Sequence, residues 1–373
     1  MPQESPEKFD SITHFLQTGG FHYRVFDMGR KVNRLPNEEF ETIEGQKQAY
    51  PAPFQKKAWI ALLFWKDGKQ NEATIWFLQF PIDELGFLKL EARDAFLIDL
   101  LEQTGKNIQA KQQGKQALDE LKESPFAFKP NPDRLAMLHA LATKELDQQP
   151  SQYYQHTRDY LSSSAGYEQW QFLGLQGIAD VVARVDEEGN EDLLAKAIGL
   201  MPDEPLVSFC SALENAKPQV FLAQALVSKL EEINGIDKSQ STPPHFYMMN
   251  DSSEPEAGAN TQVISMLIRA LSGAEPKALR QSVLQEVLVS PVGQDIEIIA
   301  AISGRAWNDL RDKSVLKAFI ANLASQTQMA FDAILSDLMM IPDMRELLLS
   351  EMNGDNQPVG LSEKLDQFMK NVK

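Results

Sequence analysis

A single cysteine, Cys210, in 373 residues leaves no partner for an intramolecular disulfide and too few thiols for a cysteine-built zinc site. That cysteine lies in an apolar helical pattern (LVSFCSAL) with no basic neighbour to make it a nucleophile, so it reads as a buried thiol. Histidine is also scarce. His14, His22, His139, His156 and His245 have no metal-site spacing and form no HExxH. The phosphate cradles GxxxxGK[ST] and GxGxxG are missing, as is the GxSxG nucleophile elbow. The expectation is therefore no cofactor and no metal. Carboxylates are abundant, so a paired-carboxylate site is not excluded, but abundance gives no reason to choose one pair. The question of catalysis stays open and leans towards none.

Long apolar runs are absent too. None reaches the ~18 residues of a membrane span. The opening MPQESPEKFD lacks a basic stretch followed by an apolar one, so it does not read as a secretory leader. The expected compartment is the cytoplasm. Positive charge is in deficit, with a formal net charge of −17. Residues 1–130 hold 17 Lys and Arg against 19 Asp and Glu, and the rest holds 19 against 34. The acidity thus belongs to the second part of the chain. Such a surface repels phosphate backbones and anionic lipid, which argues against nucleic acid and membrane as partners. It leaves proteins or peptides, basic ones among them.

What the sequence does hold is mostly helix. Residues 7–18 put Phe9, Ile12, Phe15 and Leu16 on one face, and Gly19-Gly20 ends them. Strand spacing follows in FHYRVFD, then in AWIALLFW (58–65) and ATIWFLQF (73–80). Asp67-Gly68 between the last two is a hairpin-turn pair. Residues 37–53 are polar, end in PAP and read as a loop. Residues 92–104 return to helical spacing, with Gly105 as a stop, and the Gln-rich tract to Leu121 is a weak helix at best. The expected N-terminal part, residues 1–124, is a small α+β domain with a three-stranded antiparallel sheet and helices.

Three prolines in PFAFKPNPDR make residues 125–132 the expected junction, with Phe126 and Phe128 docked rather than free. From 133 to 373 helices of about 11–18 residues alternate with short Pro- or Gly-marked turns, and short links force antiparallel neighbours. The fold class is thus mainly α, with a HEAT-like antiparallel helical array after the small domain. The segments LLAKAIGLMPDEP and LIRALSGAEP resemble each other, and Pro202 and Pro276 are two units of ~37 residues apart, the scale of helical-hairpin repeats. A compact irregular helical domain is the alternative. A long polar interruption at 236–260 carries the aromatic and methionine knot HFYMM.

Two places invite a binding role. Arg24, Asp27, Arg30 and Arg34 lie in and after the first strand, and Arg30 and Lys31 with Lys56 and Lys57 would form a basic spot. Arg305, Trp307 and Arg311 sit at a helix junction, and Arg and Trp are common interface anchors. Arg24, Asp27, Arg30, Arg305 and Trp307 are therefore the candidate partner-binding residues. Ion pairing at the strand end, and a Trp capping the helical core, are the structural alternatives.

The run GGFHYRVFDMGRKVNRL, the strands around WIALLFW and TIWFLQFPIDE, and the helical remainder together resemble an uncharacterised bacterial family known only as a domain of unknown function. The resemblance covers nearly the whole chain. It implies no activity, cofactor or catalytic residue, only that the two parts belong together in a bacterial cytosol. The functional expectation is a non-enzymatic interaction or adaptor protein, because stacked helices offer extended surfaces to peptides and proteins. The competing expectations are an enzyme with its site where the N-terminal sheet meets the first helices, and a structural homo-oligomer.

Overall fold

The computed structural model describes residues 9–109, 124–163, 167, 169–235, 257–354 and 357–371. The chain is mainly α, with a small α+β region at its N-terminus. It divides into two compact units, Met1–Asp147 with Met339–Arg345, and Gln148–Leu338 with Glu346–Lys373. The expected junction at 125–132 thus lies inside the first of these units.

The first unit is built on a four-stranded antiparallel sheet of order β2-β1-β3-β4. The strands are β1 (Phe21–Asp27), β2 (Asn33–Leu35), β3 (Lys57–Lys66) and β4 (Thr74–Pro81). β1 pairs with β3 from Phe21↔Lys66 to Asp27↔Ile60. The sheet has one strand more than the three expected. β2 is only three residues long, too short to show a period of two, and its pairing with β1 reveals it only in the fold. On one face Tyr23, Val25, Ile60, Leu62, Trp76, Leu78 and Phe80 form a single core with helices α1 (Ile12–Thr18), α2 (Asn37–Glu44) and α3 (Leu90–Gln109). Alternation along β4 buries Trp76, Leu78 and Phe80 in turn, the pattern of a strand with one face covered.

Helix α2 stands where a loop was expected. Its Phe40 and Ile43 are buried, and these two apolar residues three apart are enough once a sheet lies beside them. Glu44 at its end is buried as well. Its carboxylate accepts hydrogen bonds from the Ile12 and Thr13 amides and from the Thr13 hydroxyl, at 2.9, 3.1 and 2.7 Å. A carboxylate from α2 thus caps the start of α1. Helix α3 runs through Gly105 to Gln109, since one helical glycine costs only about 1 kcal/mol. The tract after it lies outside the described residues.

Residues 124–128 lie along the β4 edge. The Gln79 amide donates to Phe126 O at 2.7 Å and the Phe128 amide to Phe77 O at 3.1 Å. Phe126 packs on the sheet core and Phe128 sits edge-on to Trp59 and Phe77. Helix α4 (Pro132–Glu145) follows, capped by Asn131 and opening on Pro132. Its first turn is tied to the turn after β1 and its last to strands β1 and β2. Arg134 Nη1 donates to Met28 O and Gly29 O, and Glu145 accepts from Arg24 and Arg34.

The second unit is helical. Its helices are α5 (Tyr153–Ser162), α6 (Leu175–Ala183), α7 (Asn190–Leu200), α8 (Asp203–Leu213), α9 (Val220–Asn234), α10 (Ala257–Leu271), α11 (Lys277–Val289), α12 (Ile296–Arg305), α13 (Lys313–Ala324), α14 (Gln328–Leu338) and α16 (Leu361–Asn371). Helix α15 (Met344–Met352) begins in the first unit and continues into the second. The packing alternates. α6, α8, α10, α12, α14 and α16 touch in succession, and α5, α7 and α9 touch in succession beside them, as do α11 and α13. Asp295 and Asp312 cap α12 and α13 through their own side chains, and Gly235, at φ 69°, closes α9 in a left-handed turn.

The stretch YEQWQFLGLQGIADVVARV has the apolar spacing of one long helix, with Trp170, Leu173, Ile178, Val181 and Val182 on or near one face, but the structure breaks it. Trp170–Phe172 forms a 3-10 turn and α6 starts only after Gly174, whose extended backbone caps it. The two similar segments also fall in different rows. Pro202 opens α8 and Pro276 opens α11, three helices later and not four among the described residues, so the ~37-residue spacing does not map onto a repeat of the described helix pairs. Of the 236–260 interruption, residues 236–256 lie outside the described residues, and α10 begins at Ala257. No described helix is long and apolar enough to cross a membrane.

Candidate partner-binding groove

The strand-end residues gather around the turn after β1. Asp27 is buried, its Oδ1 accepts the Gly29 amide at 2.7 Å, and the Tyr50 hydroxyl faces it. Burial pushes the Asp27 carboxyl up to about 6, against the downward pull of the Gly29 amide, Tyr50, Arg134 and Arg30. Arg30 has no exposed surface. Its Nε donates to Pro53 O at 2.9 Å and its guanidinium lies 5.8 Å from the Phe54 ring. Lys31 is buried too, so Arg30 and Lys31 present no basic spot to solvent, contrary to the expectation from the sequence. For Arg30 the physical reason is that its side chain folds back onto Pro53 O and the Phe54 ring. Arg24 is partly exposed. It pairs with Glu145 at 3.0 Å, a carboxylate it shares with Arg34, and stacks 5.5 Å from the Trp65 ring. The structure therefore joins Asp27 and Arg30 to Arg134 and sets Arg24 in a separate pair.

Arg305 and Trp307 belong to the helical unit. Trp307 is buried, so it fills the core beside α12. Arg305 Nε lies 2.9 Å from Glu214 Oε2, which ties the end of α12 to the end of α8, and Nη1 donates to Gly304 O. Arg269, on α10, is held below the usual arginine range by burial first and by Arg305 second, with Glu214 opposing. These are structural positions with little open surface.

The helical unit does carry an open groove, which sequence reasoning missed. It has a volume of about 540 Å3 and is lined by Tyr167, Trp170, Gln171, Pro202, Asp203, Glu204 and Pro205. One wall comes from the turn before α6. Tyr167 is buried and fixed, because the Tyr160 hydroxyl donates to its carbonyl at 2.9 Å and the two rings meet edge-on at 5.4 Å. Burial holds both phenols above their ordinary range, Tyr160 up to about 12, so this wall stays neutral. The other wall is the start of α8. Pro202 caps it with extended backbone, and Asp203 and Glu204 occupy its first turn, where the helix dipole favours carboxylates. Neither side chain makes an ion pair or hydrogen bond with the described residues, whereas Asp180, Glu214 and Asp309 in the same unit are all paired. Two large apolar side chains within two residues of the lining in sequence, Phe172 and Leu200, are 79% and 65% exposed. The one signal for this site in the sequence is the run PDEP, two carboxylates between prolines. The other wall is some thirty residues earlier, and only folding brings it near.

Among the described residues no group of three or more His, Cys, Asp or Glu could hold a metal ion. The groove offers no paired nucleophile and base either. It offers flat rings, prolines and two carboxylates that pair with none of the described residues.

The family model described as a protein of unknown function (DUF3549) matches residues 7–369, and the chain belongs to that family. No curated protein matches the chain. No solved structure matches it.

Proposed function

We propose that this family member is a non-enzymatic protein-interaction or adaptor protein of the cytosol, and that its helical unit is a HEAT-like array that takes a segment of another protein in the Tyr167–Pro205 groove. The observation that carries the reading is the groove itself, an open concavity walled by aromatic rings and prolines on an acidic helical unit. Aromatic residues dominate interface energies because they bury large area at small entropic cost. Exposed Phe172 and Leu200 beside it add apolar surface that a partner would cover. The alternating rows of helices support the array reading, since stacked helices of this kind offer extended surfaces.

A photoreactive residue placed at Gln171 tests this. In intact cells it is expected to crosslink one protein in high yield, while the same probe at Lys317, exposed on α13, is not. Equal, weak labelling at both positions would count against a binding groove.

A further inference from the structure

We infer that the occupant of this groove is an extended, arginine-bearing segment of the partner protein, an inference that rests on the adaptor reading above and specifies its ligand. Three features of the lining select this chemistry together. First, Asp203 and Glu204 are exposed at one wall and pair with none of the described residues. A groove that holds two such carboxylates on a chain of net charge −17 attracts cations and repels anions before contact. The dipole of α8 explains why carboxylates are tolerated there. It does not explain why aromatic rings face them across an open cavity.

Second, Trp170 lines the groove, is only partly buried, and its indole makes no hydrogen bond among the described residues. A guanidinium stacks on the face of such a ring and is attracted by its quadrupole, by ~0.5–2 kcal/mol. It can fork to a carboxylate at the same time. The ammonium of lysine does neither as well, which favours arginine over lysine. Third, Tyr167 on one wall and Pro202 and Pro205 on the other are rigid apolar groups that lose little entropy on binding. Grooves lined by aromatic and proline side chains suit extended, polyproline-like backbone, which is already ordered before it docks. Gln171 adds a side-chain amide that can pair with the backbone of such a segment. A second copy of this chain fits less well, since a strongly acidic molecule repels its own copy.

The probe is a capped, dye-labelled hexapeptide of alternating proline and arginine, with lysine, glutamine and glutamate versions beside it. Fluorescence anisotropy at physiological salt is expected to show saturable binding of the arginine peptide. The lysine version should bind several-fold more weakly, and the other two not measurably. The double variant D203K/E204K should weaken the arginine peptide at least tenfold and acquire the glutamate peptide. Reversal of two exposed carboxylates elsewhere, E188K/D192K, should change the affinity less than twofold. Thermal melts of the variants show whether they fold, and the gain of glutamate-peptide binding is a readout that mere unfolding cannot give. The inference is overturned if no arginine peptide saturates the wild-type chain, or if both double variants lose binding equally, since attraction to a general acidic surface would then account for it. It is also overturned if the Gln171 crosslink maps to a neutral or acidic segment, or to a second copy of this chain. In the neutral or acidic case the adaptor reading survives without it. A failed crosslink with sound peptide binding would remove the adaptor reading alone.

Discussion

Arg280 and Asp309 meet through two contacts, Nε to Oδ2 at 3.0 Å and Nη2 to Oδ1 at 2.9 Å, and the Asp309 side chain has no exposed surface. The guanidinium also donates through Nη1 to Ala274 O, so one arginine on α11 serves both the loop before it and the turn after α12. A fork of this kind satisfies a buried carboxylate that would otherwise lie uncompensated in the helical unit.

Arg280→Met leaves that charge buried alone and should destabilise the protein by about 3–5 kcal/mol in urea unfolding. The double variant R280M/D309L removes both charges and is expected to recover about half of that loss or more. Additive losses in the double variant would show that the pair is not coupled.

Two glycines should respond differently to a methyl group. A Cβ at Gly177 would meet Thr157 Oγ1 at 2.3 Å, the hydroxyl that donates to Tyr153 O, and Tyr153 O itself at 3.0 Å. At Gly293 it would meet Val287 O at 2.4 Å and Leu288 Cα at 2.8 Å, all backbone. G293A should therefore cost more than G177A, by about 1–3 kcal/mol. T157S should leave G177A uncorrected, whereas T157A should relieve part of its cost.

Asp27 gives a pH signature. Its folded carboxyl holds a proton up to about pH 6, because burial penalises the charge, while an unfolded aspartate releases it near ~4. Folding takes up protons between those values. The stability this group contributes is complete below pH ~4 and is lost as pH rises through about 6. Asp27→Asn cannot titrate. The stability of the wild type relative to D27N should accordingly fall by about 2 kcal/mol between pH 4 and 7. A difference that stays flat over that range, measured by urea unfolding, contradicts a raised Asp27.

Cys210 should be inert in the folded protein. It is fully buried in α8, and burial alone pushes its thiol well above the ordinary range. A thiol reagent at pH 8 is expected to label it at least about 100-fold more slowly in buffer than in denaturant. Comparable rates would mean that α8 opens readily.

Much of the architecture was legible because it is periodic. β3 and β4 announce themselves through Trp, Phe, Ile and Leu at strand spacing, and Asp67-Gly68 marks the turn between them. Helices such as α7 and α13 read directly from apolar residues three and four apart. Strand β2 and helix α2 did not. Each is short, and each exists because a neighbour covers it, β1 beside Asn33–Leu35 and the sheet over Phe40 and Ile43.

The site was harder to read. Arg24, Asp27, Arg30, Arg305 and Trp307 stood out as charged or aromatic residues near turns, and all five are engaged within their own units. Local sequence does not distinguish an arginine that meets a partner from one that meets its own backbone, as Arg30 meets Pro53.

Composition and period by themselves determined the helical majority, the sheet hairpin, the acidic balance and the lone thiol, since each is a property of neighbouring residues or of the whole count. Tertiary structure alone decided that Arg30 is buried, that Asp309 is paired across 29 residues, and that Tyr167 and Trp170 face Pro202 and Asp203 across a groove. Those outcomes depend on distances between residues remote in the chain, and such distances are set by how helices pack rather than by how each one forms.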